Sequence, residues 1–264
     1  MARRRPHQQV SAPQEQRLSS YWHRTQWPLQ GLYFLLPILV VYEMGTLLYQ
    51  RSGALSQIKA ESLLGHFFHL VGVTGVYLPG VIVVVVLVCW HVVRRRDPWR
   101  PDPQLLVVMW LEALLYALPL LVFSAVLFRQ PAIQWVLAQV AAEGGISGRG
   151  WLGDVLLSMG AGIYEELLFR LIGIALLHMI LVDLLALPEH WGAIGAVIGS
   201  AIGFAMYHFP SFTDVRLGLG LFYTAAGVYF ALIYVTRGFG IVVGTHALYD
   251  VLVVTLRFVQ HEGS

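Results

Sequence analysis

Three short polar runs interrupt otherwise apolar sequence, and together they hold the parts of a hydrolytic centre. Glu165-Glu166 is followed by Arg170, Phe204 by His208, and His246 by Asp250. Ionisable groups are costly in hydrocarbon, so inside an apolar run they read as lining a cavity or pairing with one another. On a helix, Glu166 and Arg170 are four residues apart and share a face, which suits an ion pair. Glu165 then points about 100° away and is left for other work. An arginine beside two carboxylates keeps at least one of them ionised, because opposite charge offsets desolvation. His246 and Asp250 repeat the four-residue spacing, and Asp250 can accept a hydrogen bond from an imidazole N–H, fixing the tautomer and orientation of His246. His208 ends an apolar run, and Pro210 after it terminates a helix. Each motif alone also fits a blander reading: a helix-end ion pair, an interfacial histidine, a polar pair stabilising a bundle. Their co-occurrence in one small chain decides for chemistry.

These residues need elements to hold them, and the composition says which. The chain has 264 residues and is 57% hydrophobic and only 12% charged, where a soluble domain carries about 25% charge. This is the composition of an integral membrane protein with little room for a separate soluble domain. The single Cys89 lies in an apolar run, so neither a disulfide framework nor a thiolate metal site is available. The arginines fall in loops rather than on one basic face, which argues against a nucleic-acid partner.

A helix needs about 20 apolar residues to cross a bilayer. That ruler places spans near residues 29–49, 75–93, 105–128, 191–208, 217–236 and 240–259. The stretch 151–187 is too long for one span and divides near Arg170, into two spans or one tilted span and a second helix. The expected fold is all-α, a polytopic bundle of about eight transmembrane helices around a polar intramembrane cavity. Residues 1–26 read as a polar cytoplasmic tail with no cleavable signal peptide, and 27–260 as a single transmembrane domain with its motifs within 151–260. Short amphipathic runs at 62–72 and 132–142 read as interfacial helices. In the first, His66 and His69 share a face at a spacing that could bind metal, without a third ligand.

Arginines at 3, 4, 5, 17 and 24, and again at 94, 95, 96 and 100, outweigh Arg51 and Lys59 or Arg129 and Arg149 in the intervening loops. The alternation places the N-terminus in the cytoplasm. The glycines of 192–203 predict close helix packing before His208. Glu43 needs a partner or a water-filled cavity, so it lines a substrate cavity or is a protonated carboxyl bonded to a neighbouring helix. Glu112, Asp154, His178 and Asp183 lie nearer span ends and read as solvated.

In order, Glu165-Glu166…Arg170, Phe204…His208 and His246…Asp250 match E-E-x-x-x-R, F-x-x-x-H and H-x-x-x-N/D. The chain from about Trp151 onward thereby resembles the CPBP (CAAX protease and bacteriocin-processing, Abi) family of intramembrane glutamic-type proteases, related to the type II CAAX prenyl endopeptidases. The resemblance implies an endopeptidase cutting near the membrane surface, on a CAAX-like, bacteriocin-like or C-terminal sorting peptide. Glu165 would take a proton from water with help from His208. His246, with the residue at 250, would stabilise the oxyanion, and Glu166 and Arg170 would hold geometry and charge. An ionised Asp250 cannot donate to an oxyanion, so His246 is the donor and Asp250 its orienter. No cofactor is expected. Zinc stays open as an alternative, with Glu165, His208 and His246 as a His₂Glu set, although no H-E-x-x-H is present. The partners implied are the bilayer and a membrane-associated peptide or protein. Two other functions compete: a non-catalytic peptide-binding or immunity protein on the same fold, and a small proton-coupled transporter. The first need not retain all three motifs, and the second lacks an evident internal repeat.

Overall fold

The computed structural model describes residues 21–50, 58–70, 78–94, 98–128, 150–209 and 217–262, and every regular element among them is helical. In chain order these are α1 (Pro28–Gln50), α2 (Lys59–Leu70), α3 (Leu78–Arg94), α4 (Pro103–Phe128), α5 (Gly150–Leu184), α6 (Glu189–Tyr207), α7 (Leu217–Arg237) and α8 (Phe239–Glu262). Six are long and apolar enough to cross a membrane, and α3 is a shorter apolar helix. The chain is a polytopic helical membrane protein. The interfacial helix expected at 132–142, Pro210 and most of the arginine-bearing tail lie outside the described residues.

The division expected near Arg170 is absent. α5 runs unbroken from Gly150 to Leu184, with α-helical winding to Glu166, then π-helical turns at Leu167–Ile174 and Met179–Leu184. At about 1.5 Å per residue an α-helix of this length outruns a bilayer core of about 30 Å. The run is therefore one long, locally unwound helix rather than two. Sequence periodicity carries no signal for this winding, because every residue keeps its helical conformation while the hydrogen bonds lengthen from i→i+4 to i→i+5.

α8 is the central element. It packs most extensively on α5 and α4, and among the described candidate spans it is the most completely enclosed. Small residues allow this. A Cβ at Gly162 of α5 would stand 2.8 Å from the backbone nitrogen of Ala247 in α8, and one at Gly240 3.0 Å from Gly31 of α1. The glycines of α6 act differently from a backbone-to-backbone seam. Gly192, Gly195 and Gly199 receive side chains of the second half of α5, namely Val182, Leu181 and Leu177.

Gly238 reverses the chain between α7 and α8 with a φ of +90°, a conformation that favours glycine. Above that corner Arg237 is buried and holds the carboxylate of Glu112 through Nε and Nη2, and the Tyr21 hydroxyl donates to the same carboxylate. The Arg237 guanidinium lies 3.9 Å from the Trp22 ring centroid, Gln26 donates to the Thr236 carbonyl, and Arg24 pairs with Asp102. The hydrogen bonds and charge of Arg24 hold the Asp102 carboxyl below the usual carboxylate range. One expectation is thus corrected. Glu112 is an ion-pair partner rather than a solvated end, because Arg237 reaches it from another helix. Tyr21, Arg24 and Gln26 of the segment before α1 are each bonded to the rest of the fold.

Candidate active site

Glu165 and Glu166 end the α-helical part of α5, where the winding changes. Glu166 and Arg170 are both fully buried and form the expected ion pair, Arg170 Nε to Glu166 Oε2 at 3.0 Å. The guanidinium is further enclosed by aromatic rings, 4.4 Å from the Phe204 centroid and 5.6 Å from that of Phe230. Cation–π attraction of this kind grows when the cation is desolvated. Arg170 Nη2 also donates to the Gly227 carbonyl of α7 at 3.4 Å. A fully buried arginine thus joins three helices.

The other oxygen of Glu166 faces a second helix. His246 Nδ1 stands 2.8 Å from Glu166 Oε1, and since a carboxylate only accepts, Nδ1–H is the donor. Glu166 therefore links Arg170 to His246, and it is the closest orienter of that imidazole. This contact joins residues 80 positions apart, so spacing could not reveal it. His246 is also stacked on Phe230 at 4.6 Å and 17°. Its Nε2 points into the site, 3.4 Å from Asp250 Oδ2 and 3.9 Å from Glu165 Oε2. Asp250 thus meets the imidazole on its inward nitrogen, while Glu166 holds the outward one.

His208 closes α6 on the opposite side of Glu165. Its Nδ1–H donates to the Phe204 carbonyl at 2.8 Å, which leaves Nε2 as the lone-pair nitrogen of the neutral ring. That nitrogen is 3.6 Å from Glu165 Oε2. The ring lies flat against Tyr223, centroids 4.1 Å apart and 19° between planes. Sequence reading did not single out Tyr223 or Phe230, since aromatic residues in apolar helices look alike until packing selects among them.

All seven residues marked by the motifs, Phe204 included, therefore meet in one place. Glu165 Oε2 lies between the inward nitrogens of two histidines, at distances slightly too long for direct hydrogen bonds and short enough for one water to touch the carboxylate and either ring. The side chains of Glu165 and His246 are only 6% and 5% exposed, those of His208 and Asp250 10% and 14%. A carboxylate and imidazole beside a confined water can do proton-transfer chemistry, strengthened by the low dielectric. Among the described residues no group of three His, Cys, Asp or Glu side chains is arranged to hold a metal ion. His66 and His69 are exposed, and His66 Nδ1 faces the Ser62 carbonyl.

Glu43 is not part of this constellation. It accepts a hydrogen bond from the Tyr164 hydroxyl at 2.8 Å, and the neighbouring Tyr42 hydroxyl donates to Glu61 of α2 at 2.7 Å. Of its two expected settings, the bond to a neighbouring helix is present. Burial raises the Glu61 carboxyl above its ordinary value.

Residues 148–252 match the model of the Rce1-like family, type II CAAX prenyl endopeptidases. The site-bearing segment is similar to that family. The match begins just before α5 and ends just past Asp250, so it takes in every residue of the site. It supports the family resemblance drawn from the three motifs, and the Rce1-like family is one of membrane peptide hydrolases. No curated protein and no solved structure matches the chain.

Proposed function

We propose that the protein is an intramembrane endopeptidase in which Glu165 and His208 activate water. The observation that carries this reading is the position of Glu165 Oε2, 3.6 Å from His208 Nε2 and 3.9 Å from His246 Nε2. A water held there passes a proton to the Glu165–His208 pair while its oxygen bonds to the scissile carbonyl carbon. The carbonyl oxygen becomes an oxyanion, which His246 Nε2–H meets as donor. Collapse breaks the C–N bond, and the proton held by the pair goes to the leaving amine. Glu166 and Arg170 position His246. Asp250 keeps the inward nitrogen of His246 protonated and is not itself a donor to the oxyanion.

The substrate class that the Rce1-like match supports is a CAAX-like or other C-terminal tail held at the membrane. The chemistry is metal-independent on this reading. The face carrying Arg24, Arg94, Arg100 and Arg237 is the cytoplasmic one, by the preference of basic residues for that side. His208 and α2 then lie toward the opposite face.

The test is hydrolysis of internally quenched tail peptides by the purified protein in nanodiscs. Glu165→Gln should abolish turnover, and His208→Ala should lower it by about 10²–10⁴-fold, both without loss of folded protein. Unchanged turnover in Glu165→Gln sinks the mechanism. Inactivation by a chelator with recovery on adding Zn²⁺ replaces it with a zinc-dependent one. Peptide binding without cleavage favours the non-catalytic alternative.

A further inference from the structure

The carboxylates and imidazoles of the site come from α5, α6 and α8. α7 supplies neither kind of group, yet one of its faces touches three of the site's side chains. Tyr223, Gly227 and Phe230 follow one another at four and three residues, so they share a face of the helix, and all three are buried. Tyr223 lies flat on the His208 ring, at 4.1 Å and 19°. Phe230, two turns on, lies flat on the His246 ring, at 4.6 Å and 17°. Between them the Gly227 carbonyl accepts from Arg170 Nη2. A Cβ at Gly227 would stand 2.9 Å from the Ala201 carbonyl oxygen of α6. The backbones of α6 and α7 are therefore in contact there, and the aromatic face keeps a fixed distance from the helix that carries His208.

An imidazole held by one hydrogen bond is not yet positioned. The χ2 torsion of histidine is a broad, two-fold well, so a ring anchored at one nitrogen can swing and carry the other with it. His208 is anchored at Nδ1 by the Phe204 carbonyl, and His246 at Nδ1 by Glu166. In both, Nε2 is the nitrogen turned toward Glu165. A flat neighbour on the ring face blocks the swing, because tilting the imidazole drives its edge into the aromatic ring. Phe204 and Tyr207 cannot do this. Phe204 meets His208 at 55° and His246 at 70°, and Tyr207 meets His208 at 82°.

We propose that Tyr223 and Phe230 are positioning residues, and that α7 is a rack fixing the planes of the two imidazoles, one ring to each. This rests on the endopeptidase reading and deepens it. Tyr223 sets the nitrogen that takes a proton from water, and Phe230 the nitrogen that meets the oxyanion. The contribution of Tyr223 is its ring rather than its hydroxyl. Each histidine has its own backing ring on a shared helix, so loss of one ring disturbs one imidazole.

Plain core packing makes a different prediction, since a loosened core disturbs both histidines together. The experiment is nitrogen NMR of the protein in nanodiscs with its histidines labelled, read beside kcat and KM on the quenched tail peptides. Nitrogen shifts report which ring nitrogen carries a proton, and the signals are assigned by their loss in His208→Ala and His246→Ala. Tyr223→Leu should split or broaden the His208 signals and leave those of His246 as they were. Phe230→Leu should do the reverse. Each should lower kcat by about 10²-fold, the scale of a misplacement of about 1 Å, with KM kept. Tyr223→Phe, which retains the ring, should keep the His208 signals and most of kcat. If either Leu variant does not fold, Tyr223→Met and Phe230→Met carry the same test. Both histidines disturbed by either substitution, neither disturbed, or Tyr223→Phe as impaired as Tyr223→Leu overturns the proposal. The NMR needs no turnover, which separates the two readings. Selective disturbance in a protein that cleaves nothing leaves the rack and removes the endopeptidase, whereas cleavage with undisturbed imidazoles does the reverse.

Discussion

Glu166 serves two partners at once, and that shapes what its loss would do. Removing it leaves the fully buried guanidinium of Arg170 without its carboxylate and the His246 imidazole without its closest orienter. Breaking a buried ion pair from one side costs about 3–5 kcal/mol, because the remaining charge is still desolvated. Glu166→Ala should therefore lower the thermal midpoint sharply. The double variant Glu166→Ala/Arg170→Met should be more stable than the single one, since it leaves no orphan charge. Thermal unfolding of the three proteins in one detergent checks this, and a double variant less stable than Glu166→Ala would refute the account. The ion pair was readable from sequence, because a four-residue spacing places two side chains on one helix face whether or not the fold is known. The bond from Glu166 to His246 was not. Nor was the hold of Arg237 on Glu112. Both depend on which helices become neighbours, and one chain's spacing carries no record of that.

At the scale of the element, the site depends on how closely α5 and α8 approach. Glu165 comes from one and His246 from the other, and Gly162 is the point where the two backbones meet. Gly162→Ala would press a methyl group against the Ala247 backbone, overpacking that costs about 1–3 kcal/mol. It should also widen the gap between Glu165 and His246, so catalysis should fall more than folding does. Gly65 of α2 has nothing within 4 Å of its missing Cβ, and Gly65→Ala should leave both unchanged. Comparing turnover with the fraction of folded protein for the two variants tests this. Helix positions themselves were largely legible: the apolar runs at 29–49 and 105–128 became Pro28–Gln50 and Pro103–Phe128. Apolar length determines where a chain can cross a bilayer. The unbroken α5 was not legible, because its polar residues resemble an interruption until partners from α6 and α8 cover them.

For the whole molecule, the two ends of the bundle differ in chemistry. One end carries Arg24, Arg94, Arg100 and Arg237 with the N-terminal segment bonded across it, while α2 and the end of α6 lie at the other. If the basic end is cytoplasmic, substrates reach the site from the other side of the membrane. Cysteines introduced at half-buried Ser62 of α2 and at exposed Trp99 before α4 test this in a Cys89→Ser background. In intact cells a membrane-impermeant maleimide should label position 62 and spare position 99. The reverse pattern would place the site on the cytoplasmic side. The Rce1-like match is silent on this point, so the labelling is independent of it.

The π turns of α5 leave slack in the helix that presents Glu165. A turn closed by i→i+5 bonds holds one residue more than an α turn, so the segment Leu167–Ile174 can give up or take back a residue without breaking the helix. Such a segment works as a length adjuster. It lets the half of α5 that fits the glycine face of α6 change register while the carboxylate-bearing half stays clamped to α8. Insertions and deletions, which ordinarily wreck a buried helix, have in such turns a place where the fold can absorb them.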